Sequence, residues 1–380
     1  MKEFTDTKPK DCETARFRSL DGLRGVAACL VMAGHMGSST PWTNSRFFYN
    51  TYFLVDFFFV LSGFVIAWNY GDRLHTATDL RDFAVKRLAR LYPLHLATLV
   101  ALFAVEAFQY LYAPHLLPTP AFTGTEDMAS LPQNLLLLQA MPFGVGLTWN
   151  QPAWSVSTEL WAYLAYALIC VSIGARTVYL LVAIPALAVI FALANNGSDS
   201  EVAFWLFARC LAGFFIGVVA CQAFRHIGHL KVPRALLTAA EVVAFGGLLA
   251  FVAWSTGWSM WIHALTAACV FVFAFDAGMI SALLRTRLLQ FLGVVSYSIY
   301  MVHQFVLTVA EILVNRLRDK AGIDLWLPGS NGSVYGRSML ESAASILFLL
   351  SATIALSYFT FRFIELPARQ WASRWAARRA

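Results

Sequence analysis

Apolar and polar positions separate into long blocks along this chain instead of alternating. Ten apolar runs are long enough to cross a bilayer as helices: 20–40, 52–70, 88–108, 153–172, 177–194, 203–222, 235–253, 260–281, 290–313 and 339–361. Inside lipid only helices and closed barrels satisfy their backbone polar groups. The runs lack the two-residue alternation of a barrel strand, so the pattern predicts an all-α polytopic membrane protein with about ten transmembrane helices. The stretch LPQNLLLLQAMPFGVG (131–146) is apolar enough to enter the bilayer, but Pro132, Pro142 and its glycines argue against a full crossing. The first run is too long and begins too late for a cleaved signal, and is expected to remain as an anchor.

Charge sets the expected orientation. With the N-terminus inside, the inner segments and inner helix ends hold 22 of the 28 Lys and Arg residues, the outer segments hold five, and Arg209 lies within a run. Basic residues collect on the cytoplasmic side, so both termini are expected there. The predicted organisation is a cytoplasmic N-terminal tail (1–19), one membrane domain (20–361) and a basic C-terminal tail (362–380) suited to anionic lipid. Composition agrees: 59% of residues are hydrophobic and 13% charged, and the mean hydropathy is +0.62. The net charge of +6 suits nucleic acid in principle, but its placement at cytoplasmic helix ends excludes that partner. The six cysteines lie at the N-terminus or in apolar runs, with neither a disulfide framework nor metal-ligand spacing.

An ionisable group in the membrane is costly, roughly 2.5–3.5 kcal/mol for Asp, Lys or Arg at a helix centre, so each one needs a partner, water or a task. His35 lies late in the first run, Asp56 early in the second, Glu159 in the fourth, Arg209 in the sixth and His303 in the ninth. His35 is about 16 Å along the helix from Arg24 at 1.5 Å per residue, which puts it in the outer half. Asp56 and Glu159 each fall a few residues inside an outer helix end. A carboxylate beside an imidazole fixes the tautomer of a general base. His35 is therefore the candidate base and Asp56 or Glu159 its orienter. Arg209 is expected to neutralise Glu159.

Arg87 and Arg90 in KRLARLYP are three residues apart and share a helix face. Arg24, between glycines in DGLRG, is at the same level on the first helix. Three guanidiniums at one depth suit a phosphorylated ligand. Cationic and catalytic groups on opposite sides of one membrane fit a cytoplasmic donor reaching an outer acceptor. They also fit a transporter or flippase for a carbohydrate or lipid-linked glycan.

Five motifs, in order and spacing, resemble the bacterial membrane-bound acyltransferase family three: RSLDGLRGVAACLVMAGH, VDFFFVLSGFVIA, RLARLYP, WSVSTELWAY and LGVVSYSIYMVHQ. The likeness covers roughly residues 16 to 366. It implies an inner-membrane O-acyltransferase that takes an acyl group, most often acetyl, from cytoplasmic acyl-coenzyme A to a hydroxyl of a carbohydrate or glycolipid at the outer side. It implies an essential catalytic group at His35 and important arginines at Arg24, Arg87 and Arg90, which would hold the coenzyme A phosphates. Trp154, Ser155, Arg209 and His303 are the candidates for substrate contact. No metal is implied.

Overall fold

A computed structural model describes residues 17–36, 45–112, 120–174, 202–257, 259, 261–323 and 338–378. Every regular element among them is helical. They are α1 (Arg18–His35), α2 (Arg46–Tyr49), α3 (Leu54–Tyr70), α4 (Ala77–Tyr112), α5 (Leu131–Leu135), α6 (Ala153–Ile173) and α7 (Val202–Ile227). They continue with α8 (Arg234–Trp254), α9 (Trp261–Phe273), α10 (Met279–Leu284), α11 (Arg287–Ala321), α12 (Met339–Thr360) and α13 (Leu366–Ala377). Local chemistry sets several boundaries. Thr76 and Asp79 form a reciprocal capping box before α4, the Asp79 N–H donating to Thr76 Oγ1 at 3.1 Å and the Thr76 N–H to Asp79 Oδ2 at 2.9 Å. Ser338 caps α12 through the Glu341 N–H. Gly322 ends α11 in the left-handed region at φ 64°.

Seven helical stretches among the described residues are long and apolar enough to cross a membrane: Arg46–Tyr70, Ala77–Tyr112, Ala153–Ile173, Val202–Ile227, Arg234–Trp254, Arg287–Ala321 and Leu340–Ala377. Ten were expected. The run 177–194 lies outside the described residues. The run 20–40 forms α1, whose first seven residues carry Arg18, Asp21 and Arg24. The run 260–281 divides into the 13-residue α9 and the short α10, because the chain turns at Asp276 with φ 54°. The segment expected as a tail from 362 is helical instead. A π-helical turn (Phe361–Glu365) joins α12 to α13, which packs along α4.

The helix directions follow from their side-chain pairings. Asp56 meets Arg209 and Asp72 meets Arg225, both 153 positions apart, so α3 and α7 run parallel. Helices α1 and α11 also run parallel, with Arg24 bonded to Gly293 and Ser296 and His35 against His303. Helix α6 lies antiparallel to α4, as Arg87 over Tyr163 and Thr98 beside Asn150 show. It runs parallel to α7, with Arg209 over Trp154 and Phe214 against Tyr163. Helix α7 therefore begins at the opposite side of the bundle from the end of α6.

Glycines let two of these crossings reach backbone contact. On α1, a Cβ at Gly25 would lie 2.5 Å from the Gly293 nitrogen. On α3, a Cβ at Gly63 would lie 1.8 Å from the Phe214 oxygen. Neither obstacle is a flexible side-chain end, so each substitution must push two helices apart. Gly25→Leu and Gly293→Val are expected to lower stability by at least ~1–3 kcal/mol, the ordinary range for overpacking. Gly246→Ala, where a Cβ meets nothing within 4 Å, should leave the melting temperature in detergent unchanged.

Candidate active site

Three arginines set the charge of the main polar cavity among the described residues. It has a volume of about 100 Å³ and lies between α1, α3, α4, α6 and α11, lined in part by Arg24, Arg87, Arg90, Glu159, Tyr163 and Tyr300. Arg24 donates from Nε to Ser296 Oγ at 2.9 Å and from Nη2 to the Gly293 carbonyl at 2.8 Å, with Asp21 at 3.4 Å. Arg87 donates to the Tyr70 hydroxyl at 3.1 Å and stacks over the rings of Tyr70, Phe83 and Tyr163. Its Nε is buried without a hydrogen-bond partner. Among the described residues the Arg90 side chain makes no hydrogen bond. Three guanidiniums thus face one lining carboxylate, Glu159, whose Oε1 accepts from both Ser62 and Tyr163. The imbalance favours an anion. The volume is far below the ~300–1,000 Å³ of sites that enclose a drug-sized ligand. It suits a narrow chain inside, with any bulky charged group at the mouth.

The histidines stand past the far end of this cavity and outside its lining. His35 Nδ1 is 2.8 Å from the Val31 carbonyl oxygen. A carbonyl only accepts, so Nδ1 carries the proton, and in the neutral ring Nε2 keeps its lone pair. The His35 ring is exposed and meets His303 edge to face at 4.9 Å. His303 is fully buried, and neither of its nitrogens has a hydrogen-bond partner among the described residues. It also meets the ring of Tyr300 at 5.9 Å.

Neither carboxylate expected to orient His35 bonds to it. Asp56 is fully buried and takes a two-pronged contact from Arg209, Nε to Oδ1 at 2.7 Å and Nη2 to Oδ2 at 2.6 Å. His263 Nε2 is 3.1 Å from the same Oδ1. The guanidinium also donates to the Tyr52 carbonyl and is enclosed by the rings of Tyr52, Trp154 and Trp205. Arg209 therefore neutralises Asp56 and not Glu159, and it is not among the residues that line the cavity. Trp154 is part of this enclosure, whereas its neighbour Ser155 lines the cavity.

Glu159 belongs with the arginines because α6 starts inside the bundle. Asn150, just before it, is buried and donates to Thr98 Oγ1 at 3.0 Å and to the Met301 carbonyl at 3.1 Å. Counting depth from the end of an apolar run places that helix start too far out. Sequence reading also missed Tyr163, Ser296 and Tyr300. Hydroxyls carry no insertion penalty large enough to stand out, although Ser296 and Tyr300 recur at helical spacing with His303 in SYSIYMVH. Glu365 was missed as well. It is buried in the π-helical turn, accepts from Ser298, and lies near Arg24, Arg90 and Arg369.

Long apolar helices around a polar interior make this a multi-pass inner-membrane protein. A family model described as "Acyltransferase domain" (acyltransferase 3) matches residues 17–362. The chain belongs to that family, and acyl transfer is its general chemistry. It is 35% identical over 167 residues to "Protein 2 in picA locus" of Rhizobium radiobacter, covering 40% of this chain and 81% of that one. It is 30% identical over 164 residues to "Acyltransferase MdmB" of Streptomyces mycarofaciens, covering 40% of this chain and 39% of that one. No solved structure matches.

The Asp56–Arg209 pair is testable apart from activity. Breaking a buried pair from one side leaves a bare charge and costs ~3–5 kcal/mol. Asp56→Asn and Arg209→Met should each lower the melting temperature sharply, and the Asp56→Leu/Arg209→Met double variant should regain most of it. Equal losses in single and double variants would show that the pair does not act as a unit.

Proposed function

We propose that this protein is an acyl-coenzyme A-dependent O-acyltransferase. It takes a short acyl group, acetyl first among them, from the cytoplasmic side to a hydroxyl of a carbohydrate or glycolipid at the outer side of the inner membrane. The observation that carries this reading is the placement of two groups on one helix. Arg24 faces the cationic cavity, and eleven residues further along α1 His35 presents a free Nε2. Eleven residues are three helical turns, so both groups lie on one face, about 16 Å apart along the axis. Family membership supplies the chemistry that such a pair would serve.

In this reading Arg87 and Arg90 hold the donor phosphates at the cavity mouth, and Arg24 lines the path of the pantetheine arm. Arg24 is anchored on Ser296, seven residues or about 10 Å from His303 along α11. An extended pantetheine arm is longer than this, which favours the mouth for the phosphates. His35 Nε2 removes the proton from the acceptor hydroxyl as its oxygen attacks the thioester carbonyl. The C–S bond then breaks, and the imidazolium returns the proton to the sulfur. The Val31 carbonyl, by holding Nδ1–H, takes the orienting part expected of a carboxylate.

The membrane orientation belongs to the same proposal: ten spans with both termini on the cytoplasmic side. Support comes from the parallel run of α6 and α7 and from the basic end of the bundle, where Arg24, Arg87, Arg90 and Arg225 gather. Cysteines introduced at Thr125 should react with a membrane-impermeant reagent added outside, and those at Lys231 should not. The reverse result would invert the donor and acceptor sides.

His35→Ala should keep the fold and donor binding but lose transfer by ~10²–10⁴-fold, the usual weight of general-base catalysis. Arg87→Ala or Arg90→Ala should instead raise the KM for acetyl-coenzyme A, with lysine rescuing only in part because it lacks the planar fork. The assay is transfer from labelled acetyl-coenzyme A to candidate glycans, read by mass spectrometry. A labelled imidazole on His35 in the absence of acceptor would make it an acyl carrier instead of a base. Near-normal transfer by His35→Ala would end both versions.

A further inference from the structure

An acyl transfer of this kind places negative charge on the thioester carbonyl oxygen, and the reading above leaves that charge without a partner. Donors at the histidine end of the cavity are few. The backbone N–H groups there are inside helices, the Arg24 guanidinium is one turn or more away beside Ser296, the hydroxyls of Ser62 and Tyr163 are directed at Glu159, and those of Ser296 and Tyr297 donate to the Gly293 and Leu91 carbonyls. Two hydroxyls remain, on Ser155 and Tyr300. Both residues are buried, at 6% and 7% exposure, and both line the cavity. Their oxygens are 2.9 Å apart, and Ser155 Oγ is also 3.1 Å from the Pro152 carbonyl.

Building on the acyl-transfer reading, we propose that Tyr300 is a catalytic residue whose hydroxyl holds the carbonyl oxygen of the thioester during attack. Among the described residues it is the ring that both lines the donor cavity and packs against His303, the partner of His35. Ser296, Tyr300 and His303 are spaced four and three apart on α11 and share one face. The row runs from the Arg24 anchor, through the hydroxyl, to the histidines. In the resting protein the proton of Tyr300 is either given to Ser155 or left free when Ser155 donates to it. In both cases it can turn to an arriving oxygen by exchanging one hydrogen bond for another. Such a donor, fixed in a water-poor site, acts most strongly on developing charge.

The step balances without any further reagent. The acceptor oxygen bonds to the acyl carbon while His35 Nε2 takes its proton, and the carbonyl π pair moves onto oxygen, where Tyr300 donates to it. When that pair returns, the C–S bond breaks, sulfur leaves with its electron pair and takes up the proton from His35. Tyr300 keeps its own proton throughout.

The test uses the full chain in detergent or nanodiscs with acetyl-coenzyme A. Tyr300→Phe keeps the ring that packs on His303 and Phe58 and removes only the hydroxyl. It should lower kcat by about 10²–10³-fold while KM for the donor and the melting temperature stay near those of the unaltered protein. Replacing Tyr300 with 3-fluorotyrosine supplies a second measurement should the phenylalanine variant fold poorly. Its more acidic hydroxyl should sustain turnover at neutral pH but lose it at lower pH than the unaltered protein, because a phenolate cannot donate. An unchanged kcat in Tyr300→Phe, or an unshifted pH limit with fluorotyrosine, overturns the assignment while leaving acyl transfer standing. No transfer by the unaltered protein with donor bound defeats the acyl-transfer reading and this assignment with it.

Discussion

Backbone contact between α1 and α11 is the constraint on which the rest of the site depends. Gly25 faces Gly293 so closely that neither position has room for a methyl group. At that distance the register of the two helices is fixed, and because they run parallel the register is carried along their whole shared length. It brings Arg24 to Gly293 and Ser296 at one level and His35 to His303 three turns later. A looser crossing would still bury apolar surface, but it would not place two pairs of polar groups together at both ends. In lipid, where apolar burial gives little drive for helices to associate, such small-residue contact is a main source of specificity.

Around this pair the polar residues fall into two kinds. Asp56, Arg209 and His263 satisfy one another and join α3, α7 and α9. Enclosure by three aromatic rings shields the charge from lipid and from ligand alike. Arg87 and Arg90, by contrast, keep donors that no hydrogen bond among the described residues uses, and His35 keeps an open lone pair. Capacity left unused in the folded protein distinguishes a site from a latch. By that measure the cavity and the histidines are the candidate site, and the most deeply buried charges have the character of scaffold.

Much of this was legible in the sequence, and the failures have a common origin. Run length gave the helices and approximate depth, and a spacing of three put Arg87 and Arg90 on one face. Depth, however, carries no azimuth. Asp56 was taken to face His35 because both lie toward the same side of the bilayer, yet Asp56 turns toward a residue 153 positions away. Glu159 failed for a different reason, since the segment before α6 folds into the bundle and shifts the start of the helix inward. Ser296 and Tyr300 were invisible because hydroxyls in a membrane helix usually bond to their own backbone and raise no alarm.

The Asp56–Arg209 pair also has a consequence for how the chain is made. Asp56 enters the membrane with α3, but its guanidinium is synthesised 153 residues later. At ~5–20 residues per second, the carboxylate waits about eight to thirty seconds for its partner. During that interval α3 carries an uncompensated acidic group worth roughly 2.5–3.5 kcal/mol against insertion. Its dense apolar sequence, LVDFFFVLSGFVIAW, is what allows it to stay inserted alone. The hydrophobicity of α3, none of whose residues is exposed in the folded bundle, thus serves an unfinished protein as much as the finished one.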